Sequence, residues 1–358
     1  MNQPEGRPGD GNEAASAARS GGQGEGEGGE AGTADSGGGA KLRMGGEGGE
    51  GTGGTGAGPQ AAQGQAGPLP KPSQHEPLTP QRTPLYYAQH AQRYQRQQLI
   101  RDYQSAYDCR LVVMIDAIFL YSVQYFEELL FNASPSQPLH LLLVSPGGDG
   151  EVAVRLVRSA QARCSELTVI VPDIAKSAAT LLALGADKIL MGPASDLGPV
   201  DPQFPMGEYD LVSAKDIIAA VERALDDVAD RPDTFPLHSA LLADVNALRV
   251  EQARSALDRT DDLLREALLS NPRRSPADVD ELGRRLHEPL IEAPKDHAAI
   301  FGAKDAMALG LPVVTADPSS DQWRRIWQLW MHYYALLPAQ IYEGELASQV
   351  ERRPSEAG

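Results

Sequence analysis

The chain has 358 residues and a formal net charge of −17. That balance argues against a general nucleic-acid binder, which needs clustered Lys and Arg to meet phosphates. It favours solubility and says little about fold.

Residues 1–83 read as a disordered tail. Gly, Glu, Ala, Ser, Gln and Pro dominate it, and large apolar side chains are almost absent. Such a segment cannot bury enough surface to offset the entropy of ordering it. The remaining length suits one sizeable domain with an appendage. The N-terminus lacks a basic patch followed by an apolar run, so no signal peptide is expected. No stretch approaches about 20 uninterrupted apolar residues, and no integral membrane segment is expected. A soluble, acidic, cytoplasmic protein is the reading that follows. Cys109 and Cys164 stand in no CxxC pair and in no metal-ligand spacing with His, which predicts two reduced, partly buried thiols and no metal site.

Residues 84–108 form a helical lead-in, rich in Gln, Arg and Tyr. LVVMID at 111–116 is short, β-branched and apolar, and suits a buried strand. Helical spacing follows, with Val123, Phe126, Leu129 and Leu130 on one side. LHLLLVS at 139–145 is a second buried strand and runs straight into PGGDG. Next comes a helix with Val152, Val154, Leu156 and Val157 on its apolar side, then a third strand at 167–172, LTVIVP. SAATLLALG at 177–185 is a short apolar helix, and DKILM is a fourth strand.

Apolar strands alternating with helices predict a parallel sheet covered on both faces. Right-handed crossovers then line up the loops that follow the strands, and sites in such sheets lie at the strands' carboxyl ends. Two loops stand out there: SPGGDG after the second strand and PDIAKSAAT after the third. From about 207 to 287 the chain is charged and helical, an insertion laid over or beside the sheet. GAKDAMALGLPVV at 302–314 is a helix followed by a strand. The end of the chain, 317–358, is an aromatic helix and tail carrying Trp323, Trp327, Trp330, Tyr333 and Tyr334. That stripe suits a partner-binding or membrane-surface helix, or simply core or interface packing.

Gly147 and Gly148 allow a tight turn that can aim amide hydrogens outward; a plain turn needs them equally. Ser177 at a helix start can be an N-cap. The same geometry can aim its hydroxyl into a cleft, with the Ala178 amide beside it facing a developing negative charge. Together the two motifs are more specific than either alone.

SPGGDGEVAVRLVRSA and TVIVPDIAKSAATLLALGADKILMGPASDLGPVDPQ resemble the serine dehydrogenase proteinase family. That family is a branch of the Clp-protease/crotonase superfamily related to signal peptide peptidase A. The resemblance runs over about 110–203 and resumes at GAKDAMALGLPV. It implies an α/β, Clp-protease/crotonase-like domain over 109–316, with a repeated β-β-α core, a parallel sheet and helical additions. It further implies Ser177 in the nucleophile position and the Gly147-Gly148 turn as the oxyanion loop, which the Ala178 amide would complete. Relatives often have Gly where Ala179 stands and Met or a similar residue where Lys176 stands. The helices after Gln203 match no familiar pattern.

A serine hydroxyl needs a base to take its proton. The Clp-type histidine has no counterpart in ASDLGPVDPQ. His297 is the first candidate, since the family resemblance implies an Asp-His-like pair there, with Asp296 adjacent. Lys215 is the second, at the spacing that signal peptide peptidase relatives use. Asp201 is a further partner. Each has a plain alternative: a loop histidine, a solvated lysine, a turn-capping aspartate. The expectation is an ATP-independent serine peptidase acting on peptide or protein substrates as a homo-oligomer, with no cofactor or metal and no nucleic-acid partner. A catalytically weak scaffold on the same fold is the alternative, and acyl-CoA chemistry is a poorer third.

Overall fold

The computed structural model describes residues 82–206, 210–294 and 296–353. All but the last two positions of the 1–83 tail lie outside the described residues. Chain order begins with α1 (Pro84–Gln89) and α2 (Ala91–Tyr107), so the lead-in is two helices broken at His90. Then come β1 (Arg110–Ile115), α3 (Leu120–Leu129), β2 (Leu139–Val144), α4 (Gly150–Gln161) and β3 (Leu167–Val171). The short β4 (Ile174–Ala175) precedes α5 (Ala178–Leu184), β5 (Lys188–Met191) and β6 (Asp196–Leu197).

The main sheet already explains the apolar runs. Its order continues through β10 (Val313–Thr315), β5, β3, β2 and β1, all parallel. Side chains alternate across a strand. Val112 and Met114 of β1, with Leu141 and Leu143 of β2, therefore face one layer holding Phe126, Val152 and Leu181. Leu111, Val113 and Ile115 face the other, where α2 supplies Ile100 and Tyr103 and the aromatic helix Asp321–Tyr334 supplies Trp323, Ile326 and Trp330. The aromatic stripe is thus core packing, with Trp327 and Tyr334 left exposed.

Two parts of the chain depart from the expected layout. The segment read as a tail after the aromatic helix instead forms β11 (Ala339–Glu343) and β12 (Ser348–Arg352), which extend the sheet antiparallel beyond β1. The helical insertion opens with a hairpin, β7 (Gln203–Met206) and β8 (Asp210–Ser213), before α6 (Ala214–Asp230), α7 (Phe235–Leu241), α8 (Ala247–Leu269) and α9 (Pro276–His287). A second small sheet joins β4, β6 and β9 (Phe301–Gly302) across the carboxyl end of the main one. The fold is therefore ClpP-like α/β, with two strands, β3 and β4, ahead of α5.

Glu343 on β11 is fully buried. Arg96 of α2 grips it through two hydrogen bonds of 2.6 and 3.1 Å, and the Tyr333 hydroxyl donates a third at 2.7 Å. One ion pair thus fastens α2 near the start of the domain to β11 near its end. Removing only the cation strands a buried carboxylate. We expect Arg96→Met to cost about 3–5 kcal/mol in denaturant unfolding, whereas Arg96→Met with Glu343→Leu should recover most of it. Equal losses in both variants would show that packing, not charge, is at stake.

His140 on β2 supplies a pH test. Burial, aided by the nearby Lys188 charge, pushes its imidazole down to about 4. Its Nδ1 meets the Tyr103 hydroxyl at 2.8 Å. Above about pH 6.5 both folded and unfolded states hold it neutral. As pH falls from there towards 4, the unfolded chain takes up the proton and the folded one does not, so stability falls. The loss by pH 4 is about 3 kcal/mol. His140→Gln should lose less stability than wild type between pH 7 and 4.5, measured by urea unfolding at each pH. Parallel curves would contradict the buried neutral imidazole.

Candidate functional site

Ser177 lies between β4 and α5 with φ 51° and ψ −120°. A non-glycine residue rarely holds such a conformation unless its surroundings impose it. Here the strand before it is pinned on both sides. The Ser145 amide donates to the Ile174 carbonyl and the Lys176 amide to the Ser145 carbonyl, each at 3.0 Å. Just beyond, the Thr180 hydroxyl donates to the Ala175 carbonyl at 2.8 Å and meets Gly198. Ser177 itself does not cap α5, and its hydroxyl has no hydrogen-bond partner among the described residues. The capping reading of this serine is therefore not what the geometry contains.

The glycine loop passes directly over it. Gly147 and Gly148 have φ of 110° and 138°. A Cβ on Gly147 would stand 2.6 Å from the Ser177 Cβ, and one on Gly148 would stand 2.2 Å from the Ile118 carbonyl oxygen. The loop is held by Ile118, whose amide donates to the Gly147 carbonyl and whose carbonyl accepts from Asp149, both at 2.8 Å. The amides of Gly148 and Ala178 donate no hydrogen bond within the described residues. Two free donors thus flank one free hydroxyl.

His297 and Asp201 meet from opposite ends of the helical insertion, 96 residues apart, with His297 Nδ1 at 2.9 Å from Asp201 Oδ1. Asp201 is 2 % exposed. Burial pushes its carboxyl up, but the hydrogen bond and charge of His297, the neighbouring Ser213 hydroxyl and the charge of Lys215 outweigh that. Together they hold it below the usual carboxylate range. Gln203 donates to its second oxygen at 2.9 Å. Ser213 Oγ is buried without a hydrogen-bond partner among the described residues, so its influence is that of a nearby dipole.

Ser177, Gly148, Ala178, Asp201 and His297 all line one cavity of about 480 Å³. No hydrogen bond joins Ser177 to His297 among the described residues. Catalytic hydrogen bonds are often long without substrate, so the missing bond alone does not disqualify the pair. Lys215 lines an adjoining cavity instead. Its ammonium donates to the carbonyls of Ile291 at 3.1 Å, Glu292 at 3.4 Å and Pro294. Asp296 caps its own turn by accepting from the Ala298 amide at 2.8 Å.

The sequence did not point to the wall supplied by α8: Ala256, Arg259, Thr260 and Leu263 also line the serine's cavity. Arg259 holds α8 down through two hydrogen bonds to Glu151 at the start of α4, at 2.6 and 2.8 Å. These positions sit in an ordinary amphipathic helix, and nothing in their spacing marks them. Among the described residues no cluster of three or more His, Cys, Asp or Glu side chains could hold a metal ion. No described helix is long and apolar enough to cross a membrane.

A family model for ClpP-like SDH-type serine proteinases matches residues 85–319. The chain belongs to this family. The resemblance carried by the SPGGDG and SAATLLALGAD segments is thereby borne out, as is the fold. Two proteins of Methanocaldococcus jannaschii are similar to it: MJ0137, 32% identical over 200 residues, and MJ1495, 30% identical over 115 residues. The chain spans 62% of the first and 35% of the second, and these alignments cover 55% and 32% of the chain itself. Among solved structures, a ClpP1 variant from Listeria monocytogenes aligns with a TM-score of 0.33 at 14% identity, covering 62% of this chain and 98% of that one. A likeness of that extent bears on neither mechanism nor substrate.

The close approach at Gly148 predicts a steep response to substitution. In Gly148→Ala the added methyl meets the Ile118 carbonyl and the backbone is strained at positive φ. We expect a loss of at least about 2 kcal/mol in urea unfolding. An unchanged unfolding midpoint would mean that the loop has room to move.

Proposed function

We propose that the protein is a serine peptidase in which Ser177 is the nucleophile, His297 the general base and Asp201 the residue that orients it. The observation that carries this reading is the pairing of His297 Nδ1 with a buried, ionised Asp201 on the wall of the cavity that Ser177 enters. A carboxylate on Nδ1 leaves Nε2 as the proton acceptor and stabilises the imidazolium that forms.

In the proposed reaction the Ser177 Oγ attacks a peptide carbonyl carbon as its proton passes to His297 Nε2. The carbonyl π electrons move onto oxygen, which the Gly148 and Ala178 amides receive. Collapse of this intermediate breaks the C–N bond, and His297 returns the proton to the leaving amine. Water, deprotonated by the same nitrogen, then frees the acyl group and restores the serine.

The substrate is proposed to be a peptide or protein, and no step requires ATP. Two further proposals concern its setting. The buried free thiols of Cys109 and Cys164 fit a cytoplasmic protein. Self-assembly would cover the exposed Phe235, Leu237 and Leu241 of α7, a helix that buries none of its own residues.

A fluorophosphonate probe tests the chemistry, with the adduct mapped by mass spectrometry. Labelling should fall on Ser177 and vanish in Ser177→Ala. His297→Ala should slow it by about 100-fold or more, and Asp201→Asn should slow it by at least about 10-fold, because an amide can present the wrong group to Nδ1. Lys215→Ala should label at the wild-type rate. An adduct on another serine would defeat the assignment. A dead Lys215→Ala beside an unaffected His297→Ala would make the site a serine–lysine dyad. Complete absence of labelling would favour a scaffold that keeps the fold without the chemistry.

A further inference from the structure

Ser177, Asp201 and His297 come from three separate segments, and one nearly enclosed lysine within the first of them bonds to the other two. Lys176 is the residue before the serine. Its Nζ donates to the Asp196 carboxylate and the Leu197 carbonyl of β6, the latter at 3.0 Å. β6 leads within a few residues to Asp201. The same Nζ donates to the Ala299 carbonyl at 3.1 Å, two residues beyond His297. Asp196 completes the link, because its other oxygen accepts from the Phe301 amide at 2.6 Å. The pair is nearly enclosed, with side-chain exposures of 14% and 13%. Its aliphatic stem leaves no slack either, since a Cβ on Gly198 would lie 2.4 Å from the Lys176 Cδ.

We infer that Lys176 is a positioning residue that locks the His297 loop and the β6–Asp201 segment to the Ser177 turn. This rests on the triad reading above. A buried ion pair usually adds little net stability over an apolar substitute, because desolvation offsets the Coulomb attraction. A Met side chain at position 176 would fill similar space. What Met cannot do is donate in three directions at once. The gain from the ammonium is therefore geometric. A displacement of about 1 Å between reacting groups can cost about 100-fold in rate, so a connector joining all three segments matters more for turnover than for folding.

The test compares Lys176→Met, Lys176→Arg and the double variant Lys176→Met/Asp196→Asn, which leaves no unpaired buried charge, in full-length protein. Fluorophosphonate labelling of Ser177 is measured against probe concentration and expressed per folded molecule by circular dichroism. The maximal rate of the double variant should fall by about 10-fold or more, with the half-saturating probe concentration unchanged. Lys176→Arg, which keeps donors in place, should recover most of the rate. A double variant as fast as wild type overturns the inference. So does a loss that tracks melting temperature alone, with Lys176→Arg as slow as Lys176→Met. The triad reading fails in a different way: wild-type labelling of Ser177 that is indifferent to His297→Ala. None of the Lys176 variants can mimic that result, because all retain His297.

Discussion

Everything at this site depends on how closely two backbone turns can approach. The Gly147-Gly148 turn ends β2 and the Ser177 turn ends β4, and they touch at Gly147, where a side chain would collide with Ser177, while one on Gly148 would strike Ile118. Both glycines hold positive φ there, and the serine's own strained φ belongs to the same junction. Strain of this kind costs about 1–3 kcal/mol per residue and persists only where the surroundings over-determine it. Here they do: Ile118 holds the glycine loop from one side, and Ser145 and Thr180 hold the serine turn from the other. The strained arrangement leaves two amides and one hydroxyl unspent in a cleft, where a packed turn would have paired them.

The sheet that supports this junction was legible because its strands are buried on both faces. β1, β2 and β3 are apolar at nearly every position, and no surface element of the same length reads that way. β11 and β12 escaped notice for the opposite reason. AQIYE and SQVER are short and half polar, and they follow a long helix that looked like the end of the domain. β11 pairs with β1, more than 200 residues earlier, and β12 pairs with β11, so their place in the sheet is a tertiary fact with no local signature. β7 contains Pro205, which discourages a strand assignment, although on a two-stranded hairpin it has a free edge to face.

The candidate site was legible in part, along the same divide. Gly147, Gly148, Ser177 and Ala178 sit in two loops at the carboxyl ends of strands, where the parallel topology already focuses attention. Asp201 and His297 each carried a bland alternative, and only the return of the chain across the whole helical insertion joins them. Asp296, the nearer carboxylate in sequence, is spent on its own turn. The contribution of α8 to the cavity had no signal at all, because Arg259, Thr260 and Leu263 are residues that any amphipathic helix can carry.

The insertion also bears on the choice between a histidine and a lysine base. A lysine acts as a base only when it is held as the neutral amine, which requires an apolar site with few acceptors. Lys215 has the reverse. Carbonyl oxygens can only accept, and those of Ile291, Glu292 and Pro294 converge on its nitrogen at the end of the helical turn Glu288–Glu292 that follows α9. That arrangement serves a cation at a helix C-terminus, where exposed carbonyls favour positive charge. Holding that end in place also holds the start of the loop that carries His297, three residues past Pro294. Lys176 grips the same loop from the far side, at Ala299. The two lysines that lie nearest to a serine–lysine reading are thus both spent as donors to main-chain oxygen, one on each flank of the imidazole.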